Sequence, residues 1–381
     1  MDRQDFLAQD DGDYHNTLDV EGFSLMMKNP SFCYKFYWLE ALVQIVNEGR
    51  TETTFDEIID RMIVNAWYSV TQFHIHLSGF VSGDVKDGLE KTVIKLQSIT
   101  DLQPNADKDQ LLRALKEHAK EIRKEKTQLT NMVPYRALAG FLGPNVNWNN
   151  NRRLVSYIRE FDKERKILPY VLGDSSGLER EVYISASWAA FINDNTVAIL
   201  GWISNEKLKW LQSVNPEVPG LVYKLKPLDE KIRKLSGVHK LWDRIMETGP
   251  VFDVFTGQKI DPMNYEVDHF IPWSFVMNDE VWNLSPMDPS LNSAKSNRLP
   301  KWEPFFESFA RNQYMMYSLI FEDSFSKLFS DLYKYNLHSI WASAELYRPG
   351  NSEEEFRNIL SANMRPVYDS ARRQGYEIWN I

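Results

Sequence analysis

The chain has 381 residues, of which 43% are hydrophobic and 25% charged, and this predicts a multi-part globular protein rather than a disordered one. No apolar run approaches the roughly 20 residues of a membrane helix, and the acidic N-terminus has no apolar signal segment, so we expect no membrane insertion and a cytoplasmic location. A single cysteine, Cys33, excludes an internal disulfide framework, and a net charge of −9 means that any contact with phosphate needs a local basic surface or a metal.

The N-terminal part of the chain is predicted to be helical. Apolar residues at helical spacing from Phe32 to Val46 indicate one helix that ends near Gly49. The sequence from Thr54 to Glu57 fits a capping box at the start of a second helix, and a charged third helix is predicted around residues 110–126. These helices form a first region, 1–141, with a role in recognition or partner binding.

Two breaks and a boundary follow along the chain. Turn-forming residues from Leu142 to Asn151, and two prolines with a glycine between 213 and 220, interrupt regular structure. A helix from Leu235 to Ile245 then leads to Gly249. We predict a linking region at 142–248, a separate module at 249–301 and a helical C-terminal region at 302–381, where apolar residues from Tyr317 to Leu332 lie along one face.

The segment from Phe255 to Pro300 carries the chemistry. A β-prone stretch leads into Asp268 and His269, Asn283 follows fourteen residues after His269, and Asn292 nine residues after that. The last part has helix-compatible spacing, which places Asn292 and Lys295 on one helix face. An Asp-His pair alone predicts a structural hydrogen bond, but residues in this order and spacing favour catalysis.

This segment resembles the HNH endonucleases, also called ββα-metal or His-Me finger nucleases, in the form whose third motif residue is asparagine. The run from Phe270 to Phe275 and the Asn-x-x-Lys-Ser sequence at Asn292 look especially like the HNH domain of RNA-guided DNA nucleases. The resemblance covers about an eighth of the chain. Together with the helical patterns before and after this segment, it implies a mainly α-helical fold with an inserted ββα-metal finger in the C-terminal half.

The resemblance also implies a role for each motif residue. His269 is the expected general base, because a neutral imidazole takes a proton from water at cellular pH. Asp268 and Asn292 are expected to bind Mg²⁺ or Mn²⁺, and Asn283 to fix the local turn and the histidine. Lys295 and Arg298 are candidate phosphate contacts, with an ordinary solvated helix face as the equal alternative. Many relatives bind a structural zinc through cysteine pairs, and none is expected here.

Other patterns carry less weight. His74 and His76 have a spacing compatible with metal ligation but lack further ligands nearby, and the turn from Gly173 to Gly177 faintly resembles a hydrolase nucleophile turn. We interpret both as ordinary structure. Two basic clusters are candidate DNA contacts, and we prefer the second because it adjoins the module. The first comprises Arg152, Arg153, Arg159, Lys163, Arg165 and Lys166, and the second Lys224, Lys226, Lys231, Arg233, Lys234 and Lys240.

The sequence therefore predicts a DNA endonuclease that uses one metal ion per site and cuts one strand. The resemblance suggests a setting in restriction or antiviral defence, as in the motor-linked Zorya-type systems, with protein partners of such a system. Two alternatives stay open: a non-catalytic DNA-binding or scaffold protein that retains the finger, and a nuclease directed at RNA. The oligomeric state is not predicted.

Overall fold

The computed structural model describes residues 18–28, 30, 32–78, 80–81, 84–85, 87–143, 146–148, 151–226, 233–332 and 335–381. The side chains of residues 80–81, 84–85 and 151–152 are outside this description. The chain forms two compact units, which fall within the ranges 1–216 with 224–227 and 217–223 with 228–381. The boundaries predicted at 141, 248 and 301 stay a prediction.

The N-terminal unit is mostly helical with a small antiparallel sheet in the order β1-β5-β4 and a separate β2-β3 pair. Its helices are α1 (Val20–Leu25), α2 (Tyr34–Asn47), α3 (Phe55–Phe73), α4 (Gly88–Ser98), α5 (Lys108–Glu117), α6 (Ala119–Leu129), α7 (Val133–Arg136), α8 (Ala139–Leu142), α9 (Asn151–Arg165), α10 (Ala186–Asp194) and α11 (Thr196–Val214). Its strands are β1 (Glu52–Thr54), β2 (Phe80–Val81), β3 (Asp84–Val85), β4 (Tyr170–Leu172) and β5 (Glu181–Ile184).

The core of this unit lies where α2 packs against α3. Trp38 is fully buried and meets Phe55 edge to face at 5.5 Å. Thr54 caps α3 by accepting a hydrogen bond from the Glu57 backbone N–H, which confirms the predicted start of that helix. The Glu57 carboxylate binds Arg50, Arg61 and Thr53, so the side-chain half of the predicted capping box has other partners.

The charged helix predicted around 110–126 is wrong as a single element. The chain forms α5 and α6 instead, and the break lies at His118, whose φ of −102° and ψ of 21° are not helical. Leu115 of α5 and Ile122 of α6 are both buried, so each short helix contributes to the core. The predicted interruption after residue 213 is confirmed, because α11 ends at Val214.

The C-terminal unit combines helices with a two-stranded hairpin. Its helices are α12 (Ser236–Thr248), α13 (Trp273–Val276), α14 (Pro289–Lys295), α15 (Trp302–Leu319), α16 (Asp323–Leu332) and α17 (Glu353–Arg373), with a π-helical turn at Ala342–Leu346. Its strands are β6 (Glu266–His269), β7 (Leu284–Met287), β8 (Leu299–Pro300) and β9 (Ile378–Trp379). Short 3-10 turns occur at Gly177–Glu179 in the N-terminal unit, at Leu221–Lys224, and at Val281–Asn283 in the C-terminal unit.

Helix α15 braces the hairpin from one side. Gln313, which is fully buried, donates a hydrogen bond from its amide to the carbonyl of Leu284 at 2.6 Å. Asn312 likewise donates to the carbonyl of Phe252 at 2.8 Å. Side chains of α15 thus provide hydrogen-bond partners for backbone carbonyls of the segment 249–301. The described residues of this unit contain no cysteine pair that could bind zinc.

The mainly α-helical character predicted from the sequence is confirmed. The single apolar face predicted from Tyr317 to Leu332 is divided between α15 and α16, because the chain turns after Leu319. Among the described residues, no helix combines the length and the apolar character that a membrane crossing requires.

Candidate active site

The predicted site residues lie on a hairpin and the helix that follows it. Strands β6 and β7 pair antiparallel, with Asp268 opposite Ser285 and His269 opposite Leu284. Because side chains alternate along a strand, Glu266 and Asp268 point to one face of β6 and Val267 and His269 to the other, which is buried. Helix α14 then packs against β6.

Helix α14 begins with a well-formed cap. Asp288 accepts hydrogen bonds from the backbone of Ser290 at 2.8 Å and of Leu291 at 3.2 Å, and Pro289 occupies the first helical position. The helix ends at Ser296, which adopts a positive φ of 49°. Seven residues thus form two turns, enough to align Asn292 and Lys295 along the strand.

Asn283 ties together the chain on either side of the loop after β6. Its side-chain carbonyl accepts a hydrogen bond from the Ile271 backbone N–H, and its amide donates to the Ile271 carbonyl, both at 2.8 Å. The Asn283 backbone carbonyl accepts a further bond from Phe270 at 2.8 Å. Asn283 is fully buried, so this geometry fits a turn-fixing residue that does not touch substrate.

The two ring nitrogens of His269 have different partners. Nε2 lies 3.1 Å from the Asn278 carbonyl oxygen and 3.1 Å from Asp279 Oδ1, whereas Nδ1 lies 3.2 Å from an Arg233 guanidinium nitrogen. A carbonyl only accepts and a guanidinium only donates. The arrangement therefore places the proton on Nε2 and leaves the Nδ1 lone pair as the acceptor.

Burial and charge both favour the neutral imidazole. His269 is almost completely buried, and this burial lowers its pKa below the ordinary value. The positive charge of Arg233 lowers the pKa further, while the hydrogen bond to Asp279 opposes the shift. A neutral histidine with an unprotonated Nδ1 is the form that accepts a proton.

Asp279 was not predicted from the sequence. Burial alone would raise the pKa of its carboxyl, but hydrogen bonds from His269 and from the Lys234 backbone outweigh that effect and lower the pKa. Arg233 also binds this carboxylate through Nε at 3.1 Å. The carboxylate is therefore ionised and orients the ring of His269. In the sequence, the only indication of this role is that Asp279 is an acidic residue in the loop between His269 and Asn283.

The carboxylate of Asp268 is held by Lys295. The Lys295 ammonium donates to Asp268 Oδ2 at 2.8 Å and to the His269 carbonyl at 2.7 Å, and its side chain is completely buried. This placement differs from the predicted surface phosphate contact, because two partners on β6 already surround the ammonium. The Asp268 side chain keeps 18% exposure, and none of the described residues donates a hydrogen bond to Oδ1.

Asn292 and Glu266 form the neighbouring pair. The Asn292 amide donates a short hydrogen bond to Glu266 Oε2, which fixes the orientation of the amide and leaves its carbonyl oxygen as a potential ligand. Arg298 donates to the carbonyls of Lys295 and Ala294 at the end of α14. Its role in binding DNA stays a prediction.

A cavity of about 470 Å³ brings these groups together. Asp268, His269 and Asn292 all line it, together with Glu266 and Arg233. Within the described residues no group of three or more His, Cys, Asp or Glu side chains could hold a metal. The oxygen-bearing side chains of Glu266, Asp268 and Asn292 all line this cavity.

The basic clusters are only partly available for DNA. In the second cluster Lys224 is buried, Lys226 lies 3.8 Å from Glu40, Lys234 lies over the Tyr335 ring, and Lys231 is outside the described residues. Among the described residues of that cluster, Arg233 alone lines the cavity of about 470 Å³. The first cluster lies on α9, apart from Lys166, which directly follows the helix. Arg159 binds Asp174 and the carbonyl of Leu172, and the Arg152 side chain is outside the described residues.

The two minor patterns have structural partners. His76 Nδ1 lies 2.8 Å from Glu90, and His74 ends α3 in the left-handed region. The Ser175 hydroxyl donates to Glu181 at 2.7 Å, and Gly177 has a φ of +64° in the turn that follows. These contacts fit the interpretation of both segments as ordinary structure.

Residues 253–301 match the family model described as HNH endonuclease. The resemblance to this family is therefore confirmed for that segment, which is about an eighth of the chain. The match supports a nuclease activity, a nucleic acid substrate and the divalent-metal dependence that is general among HNH nucleases. No curated protein and no solved structure matches this chain.

Proposed function

We propose that this protein is a metal-dependent DNA endonuclease in which the module at 249–301 is a ββα-metal finger of the asparagine form. One observation carries the proposal: an imidazole with an unprotonated Nδ1 and two oxygen-bearing side chains, Asp268 and Asn292, line the same cavity. Phosphodiester hydrolysis needs a base for the water, charge neutralisation at phosphorus and stabilisation of the leaving oxygen.

The side chains present fit a divalent cation. Asp268 and Asn292 supply hard oxygen ligands, which suit Mg²⁺ or Mn²⁺ with water and phosphate as further ligands. Lys295 holds Asp268 through one oxygen and leaves the other available, and Glu266 orients the amide of Asn292. When bound, the ion would stabilise negative charge on the phosphate and the leaving oxygen.

The protein's own residues handle the proton. Nδ1 of His269 accepts a proton from the attacking water, while the Nε2–H stays bound to the Asn278 carbonyl and the Asp279 carboxylate. The ring becomes positively charged in this step, and the ionised Asp279 stabilises that charge. Asp279 is thus a positioning residue for His269.

Arg233 has two roles in this scheme, which are to bind Asp279 and to bind a phosphate oxygen of the substrate. Its guanidinium lies 3.2 Å from Nδ1 of His269 and 5.4 Å from the centre of the Trp273 ring. Water must replace it on Nδ1 during the reaction, and a phosphate oxygen is the natural new acceptor for a guanidinium that stays tethered to Asp279. Arg233 would then neutralise the phosphate beside the base.

One site of this kind cuts one strand, so we propose nicking by the monomer. On the family resemblance alone, we further propose a setting in restriction or antiviral defence with protein partners from such a system. Plating of phage on cells that carry the wild-type gene or a His269→Ala version tests this setting. Equal plaque numbers on the two strains would contradict it.

The activity itself is tested on supercoiled plasmid with Mg²⁺. The wild-type protein should produce open circles. His269→Ala should lower the rate at least about 100-fold, since loss of a general base typically costs that much. Asn292→Ala should lower it to a similar extent, since it removes an oxygen ligand of the ion. His338→Ala, an exposed histidine of the same unit, is the matched control and should cut normally.

Added EDTA should stop the wild-type reaction, and thermal unfolding of each variant checks that the fold is kept. A labelled RNA of the same sequence is run in parallel. Cleavage of RNA alone would favour the RNA-directed alternative. DNA binding by a protein that never cuts under any divalent ion would favour the non-catalytic one.

A further inference from the structure

The N-terminal unit contains a cavity of about 700 Å³ that is separate from the site on β6 and α14. It is formed by the end of α1, the start of α2, the helices α7 and α8, and Trp148. This volume is within the range of pockets that bind small molecules and cofactors. The cavity plays no part in the chemistry proposed above.

Three cationic side chains line this cavity, and none of its described lining residues is acidic. Lys35 is half-buried and donates at 3.4 Å to the carbonyl of Lys28, the second cation. Burial lowers the pKa of Lys35, and the charge of Arg136 lowers it further. Cations that line one cavity with no acidic residue among its described lining create a local preference for an anion.

Arg136 gives a second, independent indication of a missing partner. Its Nε atom is buried and has no hydrogen-bond partner among the described residues. Buried polar atoms are nearly always hydrogen-bonded in folded proteins. The planar guanidinium can donate two parallel hydrogen bonds to two oxygens of a phosphate or carboxylate.

The same cavity presents exposed aromatic and apolar surface. Phe32 is 42% exposed and stacks on Tyr34, with ring centres 5.5 Å apart and an angle of 26° between the rings. Met132, at 49% exposure, and Trp148 complete this wall. Flat aromatic rings beside cations are the arrangement by which proteins stack a base and hold its phosphate.

We propose that this cavity binds a nucleotide, with the phosphate against Lys35 and Arg136 and the base against Phe32. A simple inorganic anion would leave the aromatic wall unused, and a neutral apolar ligand would leave the cations unpaired. The ligand is either a free nucleotide or one residue of a single-stranded nucleic acid, since both present the same base and phosphate.

Direct binding to the full chain tests this site and separates the two sources. Calorimetric titration with AMP, ATP and the dinucleotide pApA represents free nucleotides, and fluorescence anisotropy with labelled hexathymidylate represents a strand. EDTA is present throughout, so that cleavage does not contribute. We expect micromolar binding of at least one probe, and hexathymidylate alone would identify a strand.

Variants then locate the binding. Lys35→Gln and Arg136→Gln should each weaken it at least tenfold, and Phe32→Ala, an exposed position where loss of the fold is not expected, should weaken it severalfold. Lys120→Gln removes an exposed lysine of α6 outside the cavity and should bind like the wild type. His269→Ala should also bind normally, so failure of the nuclease proposal and failure of this one are distinguishable.

Three outcomes would overturn the proposal. The first is no binding of any nucleotide probe by the wild-type protein at millimolar concentration. The second is binding that Phe32→Ala and Lys35→Gln leave unchanged while both variants keep the wild-type melting temperature. The third is tight binding of decanoate, an apolar anion without a base, in the absence of nucleotide binding.

Discussion

Lys295→Met tests how the carboxylate of Asp268 is held. The wild-type ammonium is completely buried and makes two short hydrogen bonds, to Asp268 and to the His269 carbonyl. Removing one member of a buried ion pair costs about 3–5 kcal/mol. Because the Asp268 side chain is 18% exposed and water recovers part of its solvation, we expect a loss of about 2–3 kcal/mol in the free energy of unfolding.

The same substitution should slow cleavage. An unanchored Asp268 and a shifted His269 backbone misplace the reacting groups by a fraction of an ångström to an ångström, which costs about 100-fold in rate. The assay combines urea unfolding with plasmid nicking at saturating Mg²⁺ across a range of DNA concentrations. The rate should fall at saturating DNA while the KM for DNA stays close to the wild-type value.

Lys259→Met is the matched control, since Lys259 is an exposed lysine of the same module. It should change neither stability nor maximal rate. If Lys295→Met instead raises the KM for DNA, reduces its salt dependence and leaves stability intact, the lysine contacts phosphate and the positioning role is refuted.

Three further substitutions test other parts of the structure. Asn283→Ala leaves the buried backbone N–H and carbonyl of Ile271 without their side-chain partner and should lower the free energy of unfolding in urea by about 3 kcal/mol. An unchanged midpoint of urea unfolding would contradict the turn-fixing role of Asn283. Burial lowers the pKa of Lys224 to about 7 in the folded protein, below its ordinary value in the unfolded chain, so the free energy of unfolding of the wild type should rise with pH above 7. Urea unfolding should show a rise of about 2 kcal/mol between pH 7 and 9 in the wild type and none in Lys224→Met. Parallel pH profiles of the two proteins would contradict this prediction. Arg233→Gln should cut at least about tenfold more slowly on plasmid with intact folding, whereas faster cutting would mean that the guanidinium only obstructs Nδ1 of His269.

Local patterns predicted much of this chain. The start of α3 at Thr54 follows from a side chain that caps the next turn, and this needs no tertiary information. The prediction that Asn292 and Lys295 share a helix face is confirmed, because both side chains contact β6. Spacing along one strand and one helix thus defines most of the candidate site.

What the sequence did not predict depends on contacts distant along the chain. Lys295 looked like a surface residue because burial of a lysine is rare, and only the position of Asp268 across from α14 accounts for it. Asp279 and Arg233 reach His269 from a loop and from the segment before α12, and no local pattern indicates such contacts.

The pairing of β8 with β9 bears on when the module is completed during synthesis. Leu299 and Pro300, directly after α14, pair in parallel with Ile378 and Trp379. Nearly eighty residues separate these partners, so a nascent chain on the ribosome holds the motif residues well before it holds the strand that secures them. We therefore expect the segment that matches the HNH model to be completed only after synthesis has passed Trp379, and truncated chains that lack this strand should lose the support that it gives to Leu299 and Pro300.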